Sequence, residues 1–150
     1  MVSRFEHFSS SIFCIYRYIQ RIQRMEMENY GLKGPHAQCL LTLSRFPEGI
    51  TAARLCELCE RDKAAISRMV TELEEKGMVL RSTPNGNRYR AVLTLTERGA
   101  AAAAHVEQRA RYAVEEASQG MTEQQRITMY AALDLIAGNL QSICATGLKD

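Results

Sequence analysis

The segment RSTPNGNRYRAVLTLT, residues 81–96, combines a turn signal with a cluster of positive charge. Asn85-Gly86 is a dipeptide typical of tight hairpin turns, and it lies between two runs that alternate like strands. Arg81, Arg88 and Arg90 surround this turn, so a hairpin formed here carries guanidinium groups near its tip. Guanidinium groups bind phosphates and base edges, and the segment therefore indicates a polyanion partner.

The basic residues are unevenly distributed along the chain. The 150 residues have a net charge of +2, but residues 61–98 contain eight Lys/Arg and five Asp/Glu, a balance of +3. The remaining residues contain 11 basic and 12 acidic side chains, a balance of −1. The positive excess is small, but it surrounds the predicted hairpin, as expected for a surface that meets a polyanion.

Other reactive side chains show weaker patterns. Cys56-x-x-Cys59 has one half of a structural zinc spacing, but no second pair follows, and cysteines on a short helix are more often small buried residues. The histidines at 7, 36 and 105 lie on different predicted helices, and no nucleophile elbow or phosphate loop is visible. We therefore predict that the protein is not an enzyme and that it uses neither a metal nor another cofactor.

Length and composition favour a single globular domain with reduced thiols. The chain has a mass of 16.9 kDa, a hydrophobic fraction of 46% and a charged fraction of 24%, which are ordinary values. Five cysteines, an odd number, fit free thiols better than a disulfide framework. Charged residues interrupt the apolar N-terminal residues, and no apolar run reaches 18 residues. We expect neither a membrane span nor a secretory signal, and a cytoplasmic location.

The chain is predicted to begin with a long helix over residues 5–30. Its apolar residues recur at intervals of three and four, which is typical of a helix with one apolar face. We call this face the N-terminal seam; it comprises Phe5, Phe8, Ile12, Ile15, Ile19 and Ile22. Gly34-Pro35 then interrupts the chain, and Pro35 suits the first turn of a second helix to about Arg45.

Two consecutive capped helices are predicted before the hairpin. Thr51 is a candidate N-cap for a helix over Ala52–Glu60, and Asp62 for a helix from Lys63 to about Lys76. The second helix has an inward apolar stripe, which comprises Ile66, Met69, Val70 and Leu73. Its polar and small residues lie mostly on the opposite side.

The hairpin itself is predicted to consist of strands Met78–Thr83 and Tyr89–Leu95, joined by a turn at Pro84–Asn87. Gly77 ends the preceding helix. Because side chains alternate along a strand, Arg88 and Arg90 are expected on one side, opposite Tyr89.

Two more helices are predicted after the hairpin. Thr96 is a candidate N-cap for a helix to about Ser118, which Gly120 ends. Thr122 and Gln125 form a capping-box pattern for a last helix to about residue 144. Its apolar residues have coiled-coil spacing, and we call them the C-terminal seam: Met129, Leu133, Ile136, Leu140 and Ile143.

This order of elements indicates a helix-turn-helix followed by a two-stranded wing. Small residues at the start of the second capped helix allow it to approach a DNA surface closely, while Ser67, Arg68 and Thr71 offer donors and acceptors to base edges. The wing carries arginines to a neighbouring minor groove or its phosphates. The predicted DNA-binding residues are Thr51, Lys63, Ala64, Ala65, Ser67, Arg68, Thr71, Asn87, Arg88 and Arg90.

Residues 31–99 resemble the winged-helix core of MarR-type transcriptional regulators. The segment DKAAISRMVTELEEKGMVLR resembles the recognition helix and first wing strand of that family, and LTLTERG resembles the end of its wing and the start of the next helix. The flanking helices stand where the family keeps its dimerisation helices. The resemblance implies a mainly α fold with a small β-wing, as a single domain over residues 1–150. In it, dimerisation helices 5–30 and 97–146 flank a winged helix-turn-helix at about 34–96.

The resemblance also implies a function. Members of this family form obligate homodimers on pseudo-palindromic operators in double-stranded DNA, with each recognition helix in a major groove and each wing at a minor groove. Many are repressors released by small aromatic ligands or by thiol oxidation. The family wing usually carries Asp-x-Arg, and the matching positions here are Asn87 and Tyr89, so Arg88 or Arg90 must supply the positive charge.

Two kinds of effector site follow from the resemblance. Polar and aromatic residues on the segments around the family's ligand cleft are Tyr16, Tyr18, Tyr30, His36, Arg111 and Tyr112. Cys14, with tyrosines nearby in sequence, resembles the reactive thiol of the peroxide-sensing branch. A redox-sensing regulator that uses Cys14, and a winged helix that binds protein rather than DNA, are the alternative interpretations.

Overall fold

The computed structural model describes residues 3–83, 86 and 90–148. In chain order, the elements are α1 (Arg4–Glu28), α2 (Gly34–Ser44), β1 (Ile50–Thr51), α3 (Ala52–Cys59), α4 (Lys63–Glu75), β2 (Val79–Ser82), β3 (Val92–Leu95), α5 (Glu97–Ala117) and α6 (Glu123–Thr146). The predicted fold class, mainly α with a small β-wing, is confirmed. The six predicted helices are all present, with bounds that differ by only a few residues.

The chain forms two compact units, Met1–Arg111 and Tyr112–Asp150, and the boundary between them falls within α5. The first unit contains the three-stranded sheet and the buried core. The second contains the last turns of α5 and the whole of α6. Among the described residues, no helix is both long enough and apolar enough to cross a membrane.

Side-chain caps set the starts of the two central helices, as predicted. Thr51 Oγ1 accepts a hydrogen bond from the Arg54 amide at 3.2 Å, and Asp62 Oδ1 accepts one from the Ala65 amide at 2.7 Å. Between these helices Glu60 has a left-handed backbone, with φ of 50°. This residue turns the chain sharply, so that α4 can begin three residues later.

The strands form one antiparallel sheet in the order β1-β3-β2. The pairing between β2 and β3 runs from Val79 opposite Leu95 to Ser82 opposite Val92. The central position of β3 gives it partners on both sides, since Ile50 of β1 pairs with Leu93.

The second wing strand begins later than predicted, at Val92. A two-residue Asn85-Gly86 turn would place Ser82 opposite Tyr89, but the observed partner of Ser82 is Val92, three positions further along. The described pairing of these two strands therefore ends at Ser82 and Val92. Arg90 consequently precedes β3 and is not a strand residue. The predicted placement of residues 84, 85 and 87–89 lies outside the described residues.

The junction between α4, the sheet and α5 is held by Thr96. Its Oγ1 donates a hydrogen bond to the Gly77 carbonyl at 2.6 Å and accepts one from the Gly99 amide at 3.1 Å. A Cβ atom at Gly99 would overlap the Met78 carbonyl oxygen, so only glycine allows α5 to start this close to the chain leaving α4.

The core of the first unit brings α2, α3, α4 and the start of α5 together. Leu40, Leu55 and Leu73 have no exposed surface, and the predicted inward stripe of α4 is buried throughout. The alanine run of α5 contributes Ala102 and Ala103, whose small side chains let that helix approach closely.

An ionic cluster links α1 to α5 within the first unit. Glu26 lies 3.0 Å from Arg109 Nε and 3.1 Å from His105 Nε2. Burial acts to raise the pKa of Glu26, but the hydrogen bonds and charges of Arg109 and His105 outweigh it. The pKa is therefore below the ordinary value of 4.5.

In the second unit, the predicted capping box is present at the start of α6. Thr122 Oγ1 accepts a hydrogen bond from the Gln125 amide at 3.2 Å, and Gln125 Oε1 accepts one from the Thr122 amide at 2.8 Å. Before it, Gly120 has φ of 86°, which suits the turn between the two helices.

Candidate nucleic-acid interface

Helix α4, which we call the recognition helix, separates into a buried and an exposed face. Ile66, Val70 and Leu73 fix one face in the core. Of the predicted contact residues, Ala65 is half-buried. The others on this helix are exposed: Lys63, Ala64, Ser67, Arg68 and Thr71. The helix therefore presents polar and small residues from a rigidly held frame, which is what reading of base edges requires.

The charges on this face are available to a partner. Among the described residues, neither Lys63 nor Arg68 forms an ion pair. Thr71 Oγ1 donates to the Ser67 carbonyl at 2.9 Å, so its lone pairs remain available as acceptors. Thr51 is half-buried and its hydroxyl oxygen caps α3, which leaves its O–H as the group it can offer to a phosphate.

Arg81 is held away from the predicted hairpin tip. Arg81 lies on β2, and its guanidinium donates two hydrogen bonds, of 2.8 and 3.2 Å, to Glu74 Oε1. Glu74 lies near the C-terminal end of the recognition helix. The structure thus pairs one of the three arginines that surround the turn in the sequence. Arg90 is exposed just before β3. Asn87 and Arg88, the other predicted wing contacts, lie outside the described residues, as does Tyr89.

His36 is buried within the helix-turn-helix, and its role as a ligand-binding residue stays a prediction. Its side chain is 2% exposed; Nδ1 accepts a hydrogen bond from the Lys33 amide at 3.0 Å. The other ring nitrogen, Nε2, lies 2.6 Å from Glu72 Oε2 on the recognition helix. Glu72 was not predicted as a functional residue, because a contact across 36 residues leaves no periodic signal in one sequence.

A cavity of about 730 Å³ adjoins the helix-turn-helix on the side of α1. Its lining comes from α1, α2, α3 and the loops between them. The residues that line it are Tyr16, Ile19, Gln20, Gln23, Arg24, Glu28, Leu32, Lys33, Gly34, Pro35, Gln38, Leu41, Thr42, Arg45, Leu58 and Arg61. The structure therefore brings one predicted ligand-binding residue, Tyr16, to a cavity large enough for a small organic molecule.

The other predicted ligand-binding residues lie elsewhere. Tyr18 is half exposed on α1, with the Arg17 guanidinium 5.2 Å from its ring centre. Arg111 and Tyr112 are exposed on α5, and Arg111 pairs with Glu107 at 3.1 Å. Helical periodicity could not distinguish side chains that line the cavity from side chains that do not, because both kinds occur on one helix.

The cavity carries an excess of positive charge. Four basic residues line it against one acid, Glu28; the basic residues are Arg24, Lys33, Arg45 and Arg61. Tyr16 accepts a hydrogen bond from Gln20 at 2.8 Å, which orients the phenol ring at the wall. Apolar walls with several convergent cations suit an organic anion.

The predicted thiol sites have different surroundings. Cys14 is exposed on α1, while Tyr30, one of its neighbouring tyrosines in the prediction, packs edge-on against His105 at 6.3 Å. Cys59 is buried at the end of α3 and Cys56 is half-buried. Among the described residues, no group of three or more His, Cys, Asp or Glu side chains is arranged to hold a metal ion.

These features define a winged helix-turn-helix protein, and comparisons show which known proteins it is similar to. The sequence model of the MarR family matches residues 30–88. No curated protein matches the sequence. Among solved structures, a MarR transcriptional regulator from Methanosarcina mazei Go1 is 25% identical, with a TM-score of 0.80 over 92% of this chain and 99% of that one.

Two further structures share the fold. MarR is 23% identical, with a TM-score of 0.80 over 97% of this chain and 99% of its own. Streptococcus pneumoniae FabT in complex with DNA is 15% identical, with a TM-score of 0.81 over 93% of this chain and 99% of its own. The fold of this chain is therefore that of MarR-family transcriptional regulators, and the sequence model of that family matches its residues 30–88.

Proposed function

We propose that this protein is a MarR-family, cytoplasmic, sequence-specific DNA-binding regulator that acts as a homodimer. It represses transcription until a small-molecule effector releases it. The proposal rests on the two faces of the recognition helix. One face is fixed in the apolar core, and the other exposes Lys63 and Arg68, which form no ion pair among the described residues, beside the hydroxyls of Ser67 and Thr71. The DNA complex of the structurally similar FabT supports the same use of this fold.

Each exposed side chain has a role in this proposal. Lys63, in the first turn of the recognition helix, neutralises a phosphate where the helix dipole also favours negative charge. Arg68 reaches a guanine edge, and Ser67 hydrogen-bonds to an adjacent base or phosphate. The predicted wing residues Arg88 and Arg90 contact the neighbouring minor groove or its phosphates.

Exposed apolar seams support the homodimer. Side chains of the N-terminal seam range from 37% exposed at Ile22 to 76% at Phe5. In the C-terminal seam, Leu133, Leu140 and Ile143 are 38–51% exposed. Apolar rows this long on solvent-facing helices are typical of protein–protein interfaces, and two copies of this chain would cover them. We propose that the whole chain acts as one MarR-like domain, with residues 5–30 and 97–146 as dimerisation helices.

The cavity supports control by a small molecule, and its charges favour an organic anion with an aromatic ring. Such a ligand would pair with cations such as Arg24 and Arg45 and stack near Tyr16. Its wall includes Lys33 in the loop before α2, and that loop also hydrogen-bonds to His36, which contacts Glu72 on the recognition helix. A ligand that moves this loop would therefore also move the recognition helix.

The test of the DNA-binding role compares variants on two DNAs. Arg68→Ala and Lys63→Ala are measured by fluorescence anisotropy on a selected operator and on random-sequence DNA, with Arg21→Ala on α1 as the control. We expect Arg68→Ala to lose about 1–3 kcal/mol more on the operator than on random DNA. Wild-type affinity for both DNAs in all three variants would refute the assigned interface and would favour a winged helix that binds protein.

A further inference from the structure

The wing leaves the recognition helix across a short connection. Helix α4 ends at Glu75 and β2 begins at Val79, and Gly77 between them has a left-handed backbone, with φ of 69°. Strand β2 is at the edge of the sheet, since the strand order is β1-β3-β2. Val79 is buried, but the other residues of β2 are exposed. Core packing therefore holds the start of this edge strand and not its outer part.

A side-chain contact ties the outer part of β2 back to the recognition helix. Side chains alternate along a strand, so Arg81 lies on the same side of the sheet as the buried Val79. Its Nη2 and Nε donate to Glu74 Oε1 at 2.8 and 3.2 Å. The side chains of Arg81 and Glu74 are 38% and 33% exposed, so the protein shields most of each from water. Two hydrogen bonds to one carboxylate oxygen also fix the direction of the guanidinium.

The position of Glu74 on the recognition helix makes this contact relevant to DNA. Glu74 follows Ser67 by seven residues, about two helical turns, so the two side chains leave the helix on nearly the same side. An unpaired carboxylate on the side that faces DNA would repel phosphates. Arg81 neutralises this carboxylate, and at the same time it joins the last turn of the helix to the edge strand.

We propose that Arg81 and Glu74 are positioning residues for DNA binding, because their ion pair holds the wing at a fixed angle to the recognition helix. The inference rests on the proposed function, in which the helix and the wing contact neighbouring grooves. A wing that moved freely would have to be ordered on binding, and such ordering costs affinity. With the pair in place, a recognition helix in the major groove brings Arg90, just before β3, towards the neighbouring groove without that cost.

The test is a double-mutant cycle in which operator affinity is measured by fluorescence anisotropy. An exposed ion pair changes an equilibrium a few-fold, and a homodimer has two wings, so we expect Arg81→Ala and Glu74→Ala each to weaken binding about three- to tenfold. The double variant should bind no more weakly than Arg81→Ala, because either substitution already breaks the pair. Glu75→Ala, an exposed neighbour on the same helix, is the control and should not weaken binding, because it removes an acid near DNA.

The sign of the Glu74→Ala effect separates positioning from two simpler roles of Arg81. If Arg81 only masked the acid, Glu74→Ala would bind at least as tightly as the wild type and the double variant would regain wild-type affinity. If Arg81 contacted a phosphate, Arg81→Ala would lower the slope of log affinity against log salt by about one unit per protomer, and Glu74→Ala would not weaken binding. Either result overturns the proposal. The exchanged pair, Glu74→Arg with Arg81→Glu, should instead recover most of the affinity at the wild-type salt slope.

A measurement without DNA distinguishes failure of this proposal from failure of the proposed function. We expect Arg81→Ala to speed amide hydrogen exchange in β2 and β3 at least about twofold, while the helix content by circular dichroism stays that of the wild type. A wild-type protein that binds no operator would refute the proposed function and with it the DNA role of the pair, whereas the faster exchange would still show the hold of Arg81 on the wing. Unchanged exchange in β2 and β3, or an Arg81→Ala variant with wild-type operator affinity, overturns the proposal.

Discussion

The contact between His36 and Glu72 gives a sharp test of how the recognition helix is held. Nε2 of His36 lies 2.6 Å from Glu72 Oε2, and the histidine side chain is 2% exposed. Glu72→Ala removes the carboxylate beside this buried ring nitrogen, and the loss of such a buried polar contact costs about 1–3 kcal/mol. The glutamate side chain is 43% exposed, so water replaces part of the contact. We therefore expect a loss of about 1–2 kcal/mol in the free energy of unfolding.

The assay is chemical denaturation at fixed protomer concentration, since any dimerisation makes stability depend on concentration. Glu72→Gln keeps an acceptor oxygen and should lose less than about 1 kcal/mol. Glu75→Ala is the matched control: it lies on the same helix, is exposed, and has no side-chain partner among the described residues. We expect this control to stay within about 0.5 kcal/mol of the wild type.

A double-mutant cycle with His36→Ala separates the contact from general damage to the core. Because the two side chains interact directly, their losses should be non-additive by about 0.5–3 kcal/mol. Additive losses, or a Glu72→Ala variant as stable as the Glu75→Ala control, would refute the role of this contact. The same variants should bind the operator more weakly, since the recognition helix loses its tie to α2.

Three other perturbations test separate parts of the proposal. Leu140→Lys and Ile15→Lys should each yield monomer or aggregate in light scattering, because a charge in an apolar interface costs several kcal/mol. If these variants keep the dimer mass of the control Gln141→Lys, the seams are not the dimer interface. The pKa of Glu26 is lowered in the folded state, so its contribution to the free energy of unfolding is present above about pH 4.5 and is lost on further acidification. In the Glu26→Gln variant, the free energy of unfolding should therefore depend less steeply on pH below about pH 4.5. Arg88→Ala should lower DNA affinity and reduce the salt slope by about one unit per wing; an unchanged slope would remove Arg88 from the interface.

Local sequence signals predicted the helices well, because the forces that start and end them act within one turn. Thr51, Asp62 and Thr122 cap helices where the sequence places them. The apolar stripe of the recognition helix is likewise a periodic signal, and the structure buries it. From that stripe the exposure of Arg68 on the opposite face followed directly.

Long-range pairing was not predictable from the same signals. The partner of Ser82 depends on how β3 fits between two other strands, and the Asn85-Gly86 dipeptide gave a register three residues away from the observed one. The contact between His36 and Glu72 also joins residues far apart in the chain. Only the packed fold brings these side chains together, so a single sequence shows them as unrelated residues.

Selection of bound DNA from a random pool directly tests whether the protein is a homodimeric regulator that binds a specific DNA sequence. We expect an enriched pseudo-palindrome whose half-sites lie about 10 base pairs apart or a multiple of that, as for two recognition helices related by a two-fold axis. Repeating the selection with Arg68→Ala should relax the preference at one position in each half-site. A pool that shows no enriched sequence, or an enriched site without two-fold symmetry, would contradict a homodimeric, sequence-specific regulator.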